Sequence, residues 1–158
     1  MIHITIISVG KIKEKYLKDA ICEYSKRLSK YCKLNIIEID DEQIPSNLNE
    51  KLAENIKNIE GAKILSNIKN TYSISLDLKG KQFSSEEFSK KIENISLTNN
   101  SISFIIGGSL GLSNNVIANS DELICFSKMT FPHQLIRVFL LEQLFRAFKI
   151  LNNETYHR

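Results

Sequence analysis

Apolar positions along this chain alternate between runs typical of strands and the wider spacing of helices. The first nine residues are rich in β-branched side chains and predict a strand that ends at Gly10. Residues 13–30 then predict an amphipathic helix, because apolar side chains recur there at helical spacing: Tyr16, Ala20, Tyr24 and Leu28.

The same alternation continues to the C-terminal part of the chain. Strands are predicted at 34–39, 72–77, 101–106 and 122–126. Helices are predicted at 48–68, from Ser84, at 114–118 and from Pro132 to Leu151. Ser84 with Glu87 three residues on predicts a capping box, and Ser113 is the predicted cap of the short helix 114–118. The run 79–81 is expected to turn the chain. The strand at 101–106 is the most apolar, which favours a central position in the sheet. We therefore expect one α/β domain over residues 1–158, with a mainly parallel sheet covered by helices on both faces.

The last predicted helix is apolar on most of its sides. Between Leu135 and Leu151 apolar residues cover much more than the single stripe of a surface helix. One side can pack on the sheet, and the other needs a second cover. The simplest cover is the same helix of another copy, so a homodimer is expected.

Composition narrows the class of protein. The chain has 158 residues, 42% hydrophobic and 25% charged, which is typical of a globular domain and argues against disorder. No apolar run approaches the roughly 20 residues that span a bilayer. The first residues lack a basic segment followed by a cleavage site, so no membrane association and a cytoplasmic location are expected.

Cysteine and histidine spacing gives no support for a metal site. The three cysteines form no C-x-x-C pair, and their odd number argues against a disulfide framework: Cys22, Cys32 and Cys125. The three histidines lie far apart in the sequence, so no metal is expected.

Charge is distributed unevenly around a net value of +3. Residues 11–33 carry eight Lys or Arg and three Asp or Glu, whereas residues 34–60 carry two and seven. The basic segment predicts either attraction of a polyanion or an ordinary solvated helix face. One hypothesis is therefore a non-catalytic nucleic-acid-binding module that uses these side chains: Lys11, Lys13, Lys15, Lys18, Lys26 and Arg27.

A glycine turn follows the most apolar strand. Gly107, Gly108 and Gly111 have the spacing G-G-x-x-G, which matches neither the dinucleotide fingerprint nor the P-loop. Ligands of parallel α/β sheets bind at the carboxyl ends of the strands, where this turn lies. Alone, the turn fits a simple structural role and a ligand site about equally, and a different nucleotide-cofactor enzyme is a further hypothesis.

Several motifs in combination are much more specific. They are Val9-Gly10-Lys11, the glycine turn with Leu112, the run Phe126-Ser127-Lys128-Met129-Thr130-Phe131-Pro132-His133, Arg137 with Glu142-Gln143-Leu144, and the ending Tyr156-His157-Arg158. Over essentially its whole length the chain resembles the SPOUT-class ribosomal RNA methyltransferases that N3-methylate a pseudouridine of the large subunit.

That resemblance implies a Rossmann-like sheet of five to six strands with a deep C-terminal trefoil knot. It also implies a homodimer that binds S-adenosylmethionine in the knot and acts on 23S ribosomal RNA, within the large subunit or the assembled ribosome. The matching cofactor positions are Leu76, Gly107, Phe126, Ser127, Lys128, Met129, Thr130 and Phe131.

The resemblance also makes the C-terminal ending a candidate for catalysis. A neutral histidine has a reference pKa of about 6.5 and is suited to accept the N3 proton of the base, which assigns that role to His157. Tyr156 would stack on or hydrogen-bond the base. Arg158, with Arg137 as a second candidate, would stabilise negative charge or hold phosphate. His133 is expected to be a packed structural residue.

Overall fold

Five strands and five helices alternate over residues 1–157, the part of the chain that the computed structural model describes. The strands are β1 (His3–Val9), β2 (Lys33–Ile39), β3 (Tyr72–Lys81), β4 (Ser101–Ile106) and β5 (Glu122–Ile124). The helices are α1 (Lys15–Leu28), α2 (Glu50–Leu65), α3 (Ser85–Ser96), α4 (Asn114–Ala118) and α5 (His133–Leu151). The predicted alternation is confirmed, with element ends that differ by a few residues.

All five strands are parallel and lie in the order β2-β1-β4-β3-β5. The central position of β4 confirms the prediction from its apolar run. Alternate residues of β4 enter two separate cores: Phe104 packs with α1, α3 and α5 side chains, and Ile105 packs with α2 and α4 side chains. The sheet is thus covered on both faces, and the carboxyl ends of β3, β4 and β5 are neighbours.

Local sequence explains where the helices begin. Ser84 accepts a hydrogen bond from the Glu87 backbone N–H, and the Glu87 side chain accepts one from Ser84, which completes the predicted capping box. Ser113 caps α4 in the predicted way through Val116. The predicted buried face of α1 was partly wrong, because Tyr16 is exposed and its neighbour Leu17 is buried.

Helix α5 is apolar on several sides because it contacts several elements. It packs against the sheet and between α1 and α3, and it buries a long series of side chains, among them Leu140, Leu141, Leu144 and Phe148. Phe139, in the first half of α5, is exposed. Within residues 1–157 no helix combines the length and the apolar character needed to cross a membrane.

The far end of β3 departs from the prediction. Residues 79–81 do not turn the chain away; β3 continues to Lys81, which pairs with Ile124 of β5. Ile124 also pairs with Leu76, and a register shift separates the two contacts. Gly80 lies against this strand so closely that a Cβ there would be 2.6 Å from the Ile124 carbonyl carbon. Segment 77–81 therefore crosses directly over the backbone of β5.

Candidate active site

A cavity of about 840 Å³ opens at the carboxyl ends of β3, β4 and β5. We call it the strand-end cavity; its walls come from segments 76–79, 106–112 and 124–133, together with side chains of α2, α4 and α5. This position is the usual ligand site of parallel α/β sheets, and the volume suits a ligand of cofactor size. The lining includes seven of the eight predicted cofactor positions: Leu76, Gly107, Phe126, Ser127, Met129, Thr130 and Phe131.

The eighth predicted position, Lys128, does not line this cavity, and its side chain is exposed. Met129 is also largely exposed, at 74%, and so lies at the rim rather than within a closed slot. The loop around them has internal support. The Cys125 thiol donates to the Ser127 carbonyl at 3.0 Å, and the Met129 backbone N–H donates to Ser127 Oγ at 3.1 Å.

Glycine is required in the turn after β4 for steric reasons. A Cβ on Gly107 would lie 2.9 Å from the Gly111 carbonyl carbon and 3.0 Å from Leu112 Cδ2. Gly111 has a φ of +85°, a conformation that side chains other than glycine rarely adopt. Gly108 and Gly111 are bridged, with the Gly111 N–H donating to the Gly108 carbonyl at 3.0 Å. At its three glycine positions the turn therefore presents backbone, not side chains, to the cavity.

These walls define what the cavity can hold. Leu76, Ile106, Phe126 and Phe131 supply apolar surface, and the glycine turn supplies backbone donors and acceptors. Such a combination fits a flat heterocycle with polar edges. Three charged residues also line the cavity: Lys57, Asp77 and Lys79.

His133 lies at the first turn of α5 and lines the same cavity. Burial and the neighbouring Arg137 charge lower its pKa, so the imidazole is neutral near pH 7. His133 was expected to be a packed structural residue, whereas the structure places it in the cavity wall. Its position immediately after the cofactor loop was the available signal.

Arg137 has no free face for a phosphate. It is 2% exposed, and its Nη2 donates to the carbonyls of Val9 and Gly10 at 2.8 Å each. Its Nη1 lies 3.0 Å from Glu38 Oε2. The suggested phosphate-holding or charge-stabilising role is therefore wrong for the arrangement seen here, and Arg137 instead joins α5 to the ends of β1 and β2.

The C-terminal ending docks away from the strand-end cavity. Tyr156 packs edge-on against Phe145, with ring centroids 4.9 Å apart, and its hydroxyl donates to Glu142 Oε1 at 3.1 Å. His157 Nε2 lies 2.7 Å from Glu86 Oε1, and Arg146 Nη1 lies 3.2 Å from His157 Nδ1. The third residue of the predicted catalytic group, Arg158, lies outside the described residues.

Hydrogen bonding fixes the tautomer of His157 in this position. An arginine N–H only donates, so Nδ1 is the acceptor from Arg146 and Nε2 carries the hydrogen that bonds to Glu86. Both ring nitrogens are occupied. His157 must release at least Arg146 before it can accept a proton from another group.

A smaller cavity of about 280 Å³ separates the docked ending from the strand-end cavity. Its lining includes Glu142, the partner of Tyr156, and also Phe126 and Phe131 from the strand-end cavity. Phe126 and Phe131 line both cavities, whereas Tyr156 and His157 line neither. Within one protomer the structure does not bring them together.

Metal-ligand clusters and cysteine thiols are the other kinds of group that could carry chemistry in this chain. Across residues 1–157 no three His, Cys, Asp or Glu side chains cluster in a way that would hold a metal ion. The cysteines are free; Cys22 is exposed and the other two are buried. Burial raises the pKa of the Cys32 thiol to about 11, which makes it unreactive at neutral pH.

One buried carboxyl group escaped the sequence analysis. Glu60 of α2 is only 5% exposed. It follows Ile56 and precedes Ile64 at four-residue spacing, and both of these are buried. That spacing places Glu60 on the apolar face of the helix and was the signal that would have found it.

A parallel sheet with a glycine-lined cavity at three neighbouring strand ends is the architecture of α/β enzymes that bind a nucleotide-like ligand. The family model described as "Predicted SPOUT methyltransferase" matches residues 2–157, and the chain belongs to this family. It is thus a SPOUT methyltransferase.

Relatives agree with this assignment, and a solved structure has the same fold. The chain is 64% identical over 158 residues to "Ribosomal RNA large subunit methyltransferase H" of Clostridium botulinum (strain Eklund 17B / Type B), and the match covers 99% of each chain. It is 61% identical, with the same coverage, to the protein of that name from Clostridium acetobutylicum. A probable methylase family protein from Haemophilus influenzae Rd KW20 has the same fold, with a TM-score of 0.57 and 11% identity over 98% of this chain and 70% of that chain.

Proposed function

We propose that this protein transfers a methyl group from S-adenosylmethionine to N3 of a pseudouridine in the 23S ribosomal RNA of the large subunit, in the cytoplasm. The observation that carries this proposal is full-length identity above 60% to proteins named as large-subunit ribosomal RNA methyltransferases. The strand-end cavity supports it, because its size and lining fit a nucleoside cofactor. Membership of a methyltransferase family favours an enzyme over a non-catalytic RNA-binding module.

The cofactor supplies an electrophilic methyl group on a positively charged sulfonium. Leu76, Phe126 and Phe131 would hold its adenine between apolar surfaces, and the Gly107 turn would offer backbone hydrogen bonds. Because the sulfonium is itself cationic, the site needs no lysine beside it. The exposed side chain of Lys128 fits this requirement.

His157 would act as the base that accepts the N3 proton, with Tyr156 positioning the target ring and Arg158 stabilising negative charge or holding phosphate. A positioned general base contributes about 10²–10⁴-fold to a rate. In the docked position His157 binds Glu86 and lies outside the strand-end cavity. The ending of one protomer would therefore serve the cavity of another.

A homodimer supplies that second cavity. Phe139 on α5 is 38% exposed and stacks edge-on with Phe131, which lines the strand-end cavity. A partner that covers this aromatic pair would bring its own C-terminal ending close to the cavity. The crossing of segment 77–81 over β5 supports the further proposal that this region forms a deep trefoil knot.

A methylation assay tests the proposal directly. The protein is incubated with methyl-labelled S-adenosylmethionine and, in parallel, with naked 23S RNA, large subunits or assembled ribosomes. The expected result is label at one position that blocks reverse transcription, because N3 methylation removes a Watson–Crick hydrogen bond. Substrate with uridine in place of the pseudouridine is the matched control. RNA binding without label transfer would favour the non-catalytic module, and binding of a nicotinamide or flavin instead would favour a different cofactor enzyme.

A further inference from the structure

A second cavity adjoins the strand-end cavity on the α2 side of the glycine turn. It has a volume of about 280 Å³, and we call it the acidic cavity after three of its lining residues: Asp41, Glu42 and Glu60. Both cavities are lined by Gly108, Ser109, Leu110 and His133. The two cavities therefore adjoin along the glycine turn and His133.

Glu60 presents one oxygen to this space without a donor. Its Oε2 accepts the Glu42 backbone N–H at 3.0 Å. No donor among residues 1–157 reaches Oε1, although the residue is 95% buried. A Cβ added to Gly108 would lie 3.7 Å from Oε1, so this oxygen faces the part of the glycine turn that lacks a side chain.

The neighbouring charges make the acidic cavity attractive to a cation. Lys63 binds Glu42 Oε1 at 3.1 Å and so offsets one carboxylate. Asp41 and Glu60 remain, and burial, reinforced by Asp41 and Glu42, raises the pKa of Glu60. His133 in the shared wall adds no positive charge near pH 7, since its pKa is lowered. A buried carboxylate with an empty acceptor position costs free energy unless a cationic donor arrives.

We propose that the acidic cavity is the subsite for the amino-acid end of S-adenosylmethionine, and that Glu60 Oε1 accepts a hydrogen bond from its α-ammonium group. This inference rests on the proposed function, which places the cofactor in the strand-end cavity. An α-ammonium is a compact cation with three donors and matches an unpaired carboxylate oxygen. Because residue 108 is a glycine, no side chain of the turn stands between its backbone and Oε1, although Val9 Cγ1 lies close by, 3.2 Å from where a Cβ would be.

The test compares two classes of ligand by calorimetry. S-adenosylmethionine and S-adenosylhomocysteine carry the amino-acid end, whereas methylthioadenosine has the same nucleoside and a thioether without it. For Glu60→Gln we expect at least a tenfold loss of affinity for the first two ligands. Methylthioadenosine should bind within about twofold of wild type, because charge-assisted hydrogen bonds are the part removed.

Glutamine suits this test because it preserves volume. Its amide has one acceptor oxygen, which can serve the Glu42 N–H or the ammonium but not both positions. Glu60→Asp is the second variant. It keeps the charge, but its shorter side chain moves the carboxylate oxygens away from the cavity. It should therefore also weaken binding of the two ligands with an amino-acid end and leave methylthioadenosine binding nearly unchanged. Glu50→Gln, on an exposed residue of the same helix, is the matched control and should leave all three affinities unchanged.

The outcomes separate this inference from the proposed function. If wild type binds none of the three ligands, the proposed function fails and the inference with it. If wild type binds all three and the Glu60 variants retain full affinity for S-adenosylhomocysteine, the inference alone is overturned. Equal losses for all three ligands would also overturn it, since they would assign Glu60 a purely structural role.

Discussion

Arg137 of α5 and Glu38 of β2 form an ion pair across the carboxyl edge of the sheet, with Nη1 and Oε2 3.0 Å apart. The guanidinium also donates to two backbone carbonyls, and Glu38 Oε2 accepts the Ile12 N–H at 2.9 Å. One charged group therefore ties the last helix to the loop after β1. The arrangement explains how a buried arginine is accommodated in the first half of α5.

We expect Arg137→Met to destabilise the fold by about 3 kcal/mol, the lower end of the range for breaking a buried pair. The lower end applies because the Glu38 side chain is 35% exposed and can gain water. Urea unfolding at fixed protein concentration measures the change. Lys15→Met, which breaks the exposed pair with Asp19, is the control and should cost less than about 1 kcal/mol. Equal effects of the two substitutions would contradict the structural role of Arg137.

Gly107→Val should lower the affinity for S-adenosylmethionine at least tenfold. The reason is steric: the new Cβ would overlap the Gly111 backbone and push the glycine turn out of position. Gly107→Ala should give a smaller loss in the same direction. Calorimetry measures binding, and circular dichroism checks that the variants are folded. Unchanged binding by a folded valine variant would remove Gly107 from the site.

His157→Ala, and deletion of residues 156–158, should reduce methyl transfer by about 10²–10⁴-fold while leaving cofactor affinity nearly intact. The deletion should also cost some stability, because Tyr156 packs on Phe145. Rates are measured with saturating RNA and cofactor. Full activity in the deletion variant would show that the ending is not catalytic.

A mixed-dimer experiment tests whether the ending acts on a second protomer. Chains lacking residues 156–158 are combined with Gly107→Val chains, and each is also assayed alone. Recovery of activity in the mixture is expected, since each mixed dimer retains one intact cavity and one intact ending. Mixed dimers with no activity, alongside active wild-type dimers, would place the ending in its own protomer's site.

Light scattering of the wild type at micromolar concentration should give about twice the chain mass of 18.1 kDa. Phe139→Glu should shift this to a monomer, because it places a charge on the exposed aromatic pair with Phe131. Leu97→Glu is the control, because Leu97 is 77% exposed and lies at the C-terminal end of α3. A wild-type monomer would refute the homodimer, and a dimeric Phe139 variant would move the interface elsewhere.

The ligand-free protein should show a pH effect at Glu60. Because its pKa is raised in the folded state, Glu60 keeps its proton at pH values where the unfolded chain, with a pKa of about 4.3, has lost it. Stability conferred by this group is therefore lost as pH rises through the folded-state pKa. Urea unfolding between pH 4 and pH 7 should show wild type losing stability relative to Glu60→Gln. The opposite trend would mean that burial and the neighbouring carboxylates do not raise the pKa of Glu60 in the folded protein.

Local patterns were sufficient to predict most of the fold. The apolar run of β4 predicted its central place, and Ser84 with Glu87 predicted the start of α3. Boundaries were less accurate where local signals conflict. Lys79-Gly80-Lys81 has the composition of a turn, yet its pairing with β5 depends on a strand some 40 residues later, which no local window contains.

The candidate site also has a part that could be predicted from the sequence and a part that depends on residues far away in the chain. Cofactor positions came from the family resemblance, and all but Lys128 line one cavity. The location of His157 could not be predicted, because it depends on Glu86, which is 71 residues away in sequence. The prediction for Arg137 was wrong for a similar reason. Its residue type suggested phosphate binding, but the partners that bury it come from β1 and β2.

The crossing of segment 77–81 over β5 affects how exposed this edge of the sheet is to other chains. β5 has three residues and lies last in the strand order, the kind of edge that pairs easily with strands of other chains. A strand residue has one neighbour on each side, so Lys81 occupies the outer side of Ile124, and its carbonyl accepts the Cys125 N–H at 3.0 Å. Here the chain shields its own edge, which guards against edge-to-edge aggregation and should leave the backbone amide of Cys125 among the slowest to exchange with deuterium.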